Sequence, residues 1–263
     1  MHEPHENLSA RAAKDPPFYV GYLPLPPATR RFLWPWLAAN FVLLLAVAIV
    51  VAQQQRDPGD GAWDTADDVT YEGVLTLDPY PLLQVGNDAQ TGGPLTVIPI
   101  EMGKRGSQAR LAGLAGQRVR LTGFPIRRGG RVVLGLGAGG SMIEPQGPAT
   151  PDDIFLPIDL GEHTLVGEIV DPQCYLGAMK PGEGKPHKVC ATLCITGGIP
   201  PVFVVNDGAG NTTTYLLMTS DGEAFPPSHY EYIADPLELT GQVERRGDML
   251  VLLADLSSFR RLD

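Results

Sequence analysis

The feature that most constrains this chain is a continuous apolar run, FLWPWLAANFVLLLAVAIVVA, from Phe32 to Ala52. At a rise of 1.5 Å per residue a helix of that length crosses a hydrocarbon core of roughly 30 Å. Trp34 and Trp36 stand at its start, where amphipathic rings favour the headgroup layer. Arg11, Lys14, Arg30 and Arg31 precede it, whereas Arg56 alone follows before Asp57, Asp60, Asp64, Asp67 and Asp68. The positive-inside tendency therefore predicts a single-pass protein of the cytoplasmic (inner) membrane. Its N-terminus is then expected in the cytoplasm, and residues 53–263 in the periplasm or outside the cell. The small residues Ala46-Val47-Ala48 keep a cleaved signal peptide open as the alternative.

The division that follows is a leader over 1–31, a transmembrane helix over 32–53 and an acidic linker over 54–68. Within the leader, PPFYVGYLPLPP (16–27) is barred from helix by its prolines yet carries aromatic surface. Disordered tails are poor in aromatics. Phe18, Tyr19 and Tyr22, with Trp34 and Trp36, are therefore candidates for docking on other membrane subunits as well as on the lipid bilayer, with a free tail as the alternative.

Beyond the linker the chain reads as turn-rich β structure, since 31 Gly and 25 Pro occur with no collagen period. Strands are expected at 71–77, 95–100, 118–124 and 131–136. A second series follows at 165–170, 201–205, 213–218, 237–243 and 249–254. Short helices are expected at 108–114 and 228–233. The two series repeat one another: Leu121-Thr122-Gly123, three residues, then Arg127-Arg128-Gly129, recurs as Leu239-Thr240-Gly241 and Arg245-Arg246-Gly247. Upstream, the segment from Gly73 to Asp78-Pro79 resembles the one from Gly167 to Asp171-Pro172.

A unit of strand, loop, two strands, short helix and closing hairpin resembles the five-stranded oligomer-binding barrel, the OB-fold. The fold class expected is thus mainly β: one N-terminal transmembrane helix followed by two OB-like small β-barrel modules, at 69–145 and 164–263, joined by a linker at 146–163. An anchor followed by an OB barrel is also similar to the periplasmic haem chaperones of cytochrome c maturation. Their haem-binding His with Tyr four residues later is not matched by His229-Tyr230-Glu231-Tyr232.

The repeat locates an insertion. Gly73 to Gly123 spans 50 positions and Gly167 to Gly241 spans 74, so the second copy carries 24 extra residues. All three cysteines fall there, in segment 174–197 after the first strand of the copy, a loop that contacts ligand in OB-folds. Thiolates and an imidazole are soft, tetrahedral-capable donors, so Cys174, His187, Cys190 and Cys194 are candidate ligands for zinc or copper, with Asp171 and Met179 as further candidates. Two other readings stay open on the oxidising side of a membrane: a structural disulfide that staples the loop, and a thiol redox pair in which Cys190 attacks and Cys194 resolves.

Acidic residues outnumber basic ones 30 to 20, which argues against nucleic acid as a partner. The excess is uneven: residues 69–140 hold 8 basic and 4 acidic groups, residues 161–263 hold 7 and 14. No nucleophile elbow, phosphate loop, dinucleotide fingerprint or zinc-protease helix is present. The function expected is a non-catalytic accessory or assembly subunit of a membrane redox complex. The alternatives are a metal-delivery protein using the Cys/His loop and, as an enzyme, a thiol oxidoreductase.

Overall fold

The computed structural model describes residues 25–54, 61–89, 91–137, 142–208 and 211–262. The chain divides into two compact units, one up to Asp57 and one from Pro58 onward. In the first, helix α1 spans Pro27–Gln54, 28 residues with none buried, and is long and apolar enough to cross a membrane. Pro27 opens it, a position where the missing amide costs nothing. Pro35 lies inside it, and the Asn40 side chain donates to the Trp36 carbonyl at 2.8 Å one turn back. Trp34 and Trp36 are exposed. Phe18, Tyr19 and Tyr22 lie outside the described residues.

The second unit is mainly β. Its strands run in chain order as β1 (Ala62–Trp63), β2 (Val69–Thr76), β3 (Leu82–Val85), β4 (Leu95–Glu101), β5 (Arg105–Gly106), β6 (Gln117–Arg128), β7 (Arg131–Leu136) and β8 (Ile143–Pro148). They continue as β9 (Pro157–Val170), β10 (Val202–Asn206), β11 (Thr212–Thr219), β12 (Pro236–Arg246), β13 (Met249–Ala254) and β14 (Arg260–Arg261). Among the described residues two α-helices lie between them, α2 (Gln108–Leu111) and α3 (Lys188–Thr196), along with short 3₁₀ turns.

A five-strand barrel closes around β9, β10, β11, β13 and β12, antiparallel except for the β11–β13 pair. Upstream, β2, β3, β4, β7 and β6 pair in the same sequence, with β4–β7 as the parallel pair. Alternation explains both series. In β12, Leu237, Leu239, Gly241 and Val243 are buried while Glu238, Thr240 and Gln242 between them are not.

The repeated motifs occupy matching places. Thr122 pairs across the ladder with Thr70, hydroxyl to hydroxyl at 2.8 Å, and Thr240 pairs with Thr164 at the same distance. Three residues beyond each upstream threonine stands a glycine that the neighbouring strand crowds. A Cβ at Gly73 would strike the carbonyl of Gln84, and one at Gly167 that of Val204.

Each half has an interior of its own, one around Leu75, Leu83, Leu121 and Leu134, the other around Ile169, Phe203, Leu237 and Leu252. A third apolar cluster joins them. Tyr80, Ile100, Phe124 and Ile126 of the first half pack with Val170, Cys174, Ile199, Val202 and Leu216 of the second. Polar contacts cross the same seam. The Tyr80 hydroxyl donates to the Leu217 carbonyl at 3.1 Å and accepts from the Phe225 amide at 2.7 Å. Arg131 pairs with Asp248 at 2.8 Å.

Candidate metal centre

The insertion is only partly a loop. β9 ends at Val170 and delivers Asp171, a fully buried carboxylate, to the seam. One Asp171 oxygen accepts from the Cys174 amide at 2.9 Å, which nucleates the turn over Cys174–Ala178. The other lies 2.9 Å from His187 Nε2, and both side chains are almost wholly out of solvent. A second tie lies nearby: the Gly184 amide donates to Glu168 at 2.5 Å. Burial pushes the Glu168 carboxyl above its ordinary range.

His187 closes a 3₁₀ turn that runs straight into α3. Cys190 and Cys194, four residues apart, therefore project from one side of that helix. The sequence reading treats 174–197 as a ligand loop. The structure makes its second half helical, and the His-x-x-Cys-x-x-x-Cys spacing, three and then four, is the signal of that helix.

The cysteines converge on one buried spot. Cys174 and Cys190 Sγ lie 3.7 Å apart. The donor atoms of Cys174, His187 and Cys190 all fall within 4.8 Å of one another, as do those of Asp171, Cys174 and Cys194. The four expected ligands, with Asp171, thus meet as two overlapping trios that share Cys174. All three cysteines are free, so the disulfide expected as one reading is absent. Both Asp171 oxygens are already engaged, which makes this carboxylate a support for His187 and for the Cys174 turn. Met179 stands 47% exposed just past that turn.

One participant comes from the first half. Lys104, in the turn between β4 and β5, points its ammonium at Cys190 Sγ (2.6 Å) and Cys194 Sγ (3.9 Å). Its backbone is left-handed, with φ of 65°. The adjoining Gly106 amide donates to the Gly197 carbonyl at 2.9 Å, which ties this turn to the end of α3. From the same half, Arg128 donates to the Tyr175 carbonyl at 3.0 Å and lies 4.3 Å over the Tyr175 ring. Nothing in the local pattern around residue 104 marks it, because its partners lie 86 and 90 positions away.

A hydrogen bond with Cys194, then burial and the Asp171 charge, push the Cys174 thiol well above the ordinary range. Contact with Cys190 foremost raises Lys104. Chemically, the cluster offers soft donors, a carboxylate-oriented imidazole and one counter-charge.

Comparison with protein-family models, with curated proteins and with solved structures gives no match.

Proposed function

We propose that this chain is a membrane-anchored protein that holds one thiophilic metal ion, zinc or copper, at the seam between two OB-like modules outside the cytoplasm. It serves there as a non-catalytic accessory subunit of a membrane redox complex. The observation that carries the metal reading is the buried Asp171–His187 pair beside the sulfurs. A ligating histidine commonly gives its second ring nitrogen to a carboxylate, which sets the tautomer and raises the basicity of the nitrogen that remains. Here Nε2 meets Asp171, so on this reading Nδ1 is the nitrogen that would take the metal. The sulfur spacing agrees. Zinc–sulfur bonds of about 2.3 Å at tetrahedral angles put two sulfurs about 3.8 Å apart, and Cys174 and Cys190 stand at 3.7 Å.

The OB-like reading of both modules is supported by strand order. Each half runs antiparallel through its first three strands and joins the third to the fifth in parallel. The accessory role rests on joining one apolar helix to such a site, and the outward orientation rests on the flanking charges.

Metal analysis of the full chain, gently extracted in detergent and loaded with Zn²⁺ or Cu⁺, tests the metal reading. One ion per chain is expected, lost in Cys174→Ser and His187→Ala and kept in Met179→Leu. A chain that retains no ion after loading refutes it. Co-extraction of redox-complex subunits tests the accessory role, and a chain that extracts alone counts against it.

A further inference from the structure

We propose that Cys190 and Cys174 form a thiol–disulfide exchange couple, in which Cys190 attacks an incoming disulfide and Cys174 resolves the product, and that the bond so formed closes the metal site to its ion. The gate rests on the metal reading of the preceding subsection; the exchange chemistry does not.

Three observations carry it. Cys190 is the one of the three cysteines that is partly exposed, since Cys174 and Cys194 are buried at 3% and 0% exposure. An outside sulfur therefore meets Cys190 first. Reactive cysteines sit, partly exposed, beside a positive charge, and Lys104 supplies one at 2.6 Å. The turn that carries Lys104 is clamped to α3 through Gly106 and Gly197. Finally, Cys174 lies 3.7 Å from Cys190 on a different element. A sulfur–sulfur bond of about 2.05 Å is reached from there by a shift of under about 2 Å shared between two side chains. Cys194 joins no trio with Cys190, so the structure replaces Cys194, the resolving thiol expected from sequence, with Cys174.

The step balances. The Cys190 thiolate attacks one sulfur of a disulfide RSSR, the S–S bond breaks, and RS⁻ leaves. Cys174 then attacks Cys190 Sγ, its thiol proton passing to the second departing RS⁻. Two protein thiols are oxidised by two electrons and one disulfide is reduced to two thiols. A dithiol reverses the sequence. Because a metal needs both sulfurs as thiolates, the oxidised couple cannot bind it.

The test uses the full chain in detergent, stripped of metal and reduced, with glutathione disulfide as the probe. Cleavage after Lys188 puts Cys174 on one peptide and Cys190 with Cys194 on another. Mass mapping is expected to find Cys174 joined to Cys190 while Cys194 remains free to alkylate. Cys194→Ser should preserve that product. Cys174→Ser should stop at glutathione held on Cys190, and Lys104→Met should slow glutathione uptake about tenfold. A Cys190–Cys194 bond, glutathione persisting on Cys190 of the unmodified chain, or no uptake at all would overturn the couple. Prior loading with one equivalent of Zn²⁺ should protect the thiols, and an unchanged rate with zinc bound would overturn the gate. A chain that takes up no zinc yet forms the mapped bond refutes the metal reading and upholds the exchange.

Discussion

The two halves of the β unit differ chiefly in one connection. In the first, β2 passes to β3 through five residues, 77–81; in the second, β9 passes to β10 through 31 residues, 171–201. The strand partners on either side of these connections are the same, as are the threonine pairs. A barrel of this kind therefore tolerates a long excursion at that corner, as surface loops generally do, because closure entropy grows slowly with loop length. The excursion does not stay on the surface. It supplies Cys174, Tyr175, Leu176 and Cys194 to the apolar seam, and the first half answers with Lys104 and Arg128.

The strongest way to break this comparison is to make the halves alike. Replacing 171–201 with the five-residue connection of the first half should abolish metal uptake. It should also destabilise the unit by at least about 3 kcal/mol, since several buried side chains leave the seam. Chemical denaturation of both proteins measures this, and a graft as stable as the parent would show the excursion to be an ornament on the barrel. Next in size, Asp171→Ala strands the Cys174 amide and His187 Nε2 and should cost about 2–3 kcal/mol. Metal affinity should fall about 10- to 100-fold, read by competition with a chelating dye.

A smaller effect, about 1–2 kcal/mol, is expected of Tyr80→Phe, which leaves the Leu217 carbonyl and the Phe225 amide without their partner across the seam. This variant also carries a pH signature. Burial raises the Tyr80 hydroxyl above its ordinary value of 10.0. The stability it contributes is therefore complete below that pH and drains away as pH climbs beyond it. Denaturation midpoints of the parent should drop above pH 10 more steeply than those of the phenylalanine variant, and parallel curves would contradict the assignment. Smallest of all, Thr122→Val and Thr240→Val each remove one exposed cross-strand hydroxyl pair and should cost about 0.5 kcal/mol apiece. Unequal costs would mean that the matched positions do different jobs.

Periodicity made most of the strands legible. β7 and β13 begin and end where their apolar runs do, at Arg131–Leu136 and Met249–Ala254. The strand β3 was missed because Leu82–Val85 is buried at every position and shows no alternation. The long apolar helix could be read from composition alone, yet it starts earlier than the apolar run, because Pro27 is a good first residue and Arg30 and Arg31 are good helix formers. The cysteines and His187 were visible as a cluster from their spacing. Lys104 was not, since a contact between residues so distant in the chain depends on how two halves dock, and no local pattern encodes that. Asp171 was visible as a carboxylate but not as the support of an imidazole. Only the turn geometry assigns its two oxygens.

The apolar seam has a consequence for how the polypeptide behaves once cut. A protease nick between Ala149 and Leu156 would leave Tyr80, Phe124 and Ile126 bare on one fragment and Ile199, Val202 and Leu216 bare on the other. Two such greasy faces in water recombine rather than drift apart. The nicked protein should thus migrate as a single species until denaturant is added, so that the halves behave like permanently married subunits that happen to share a backbone.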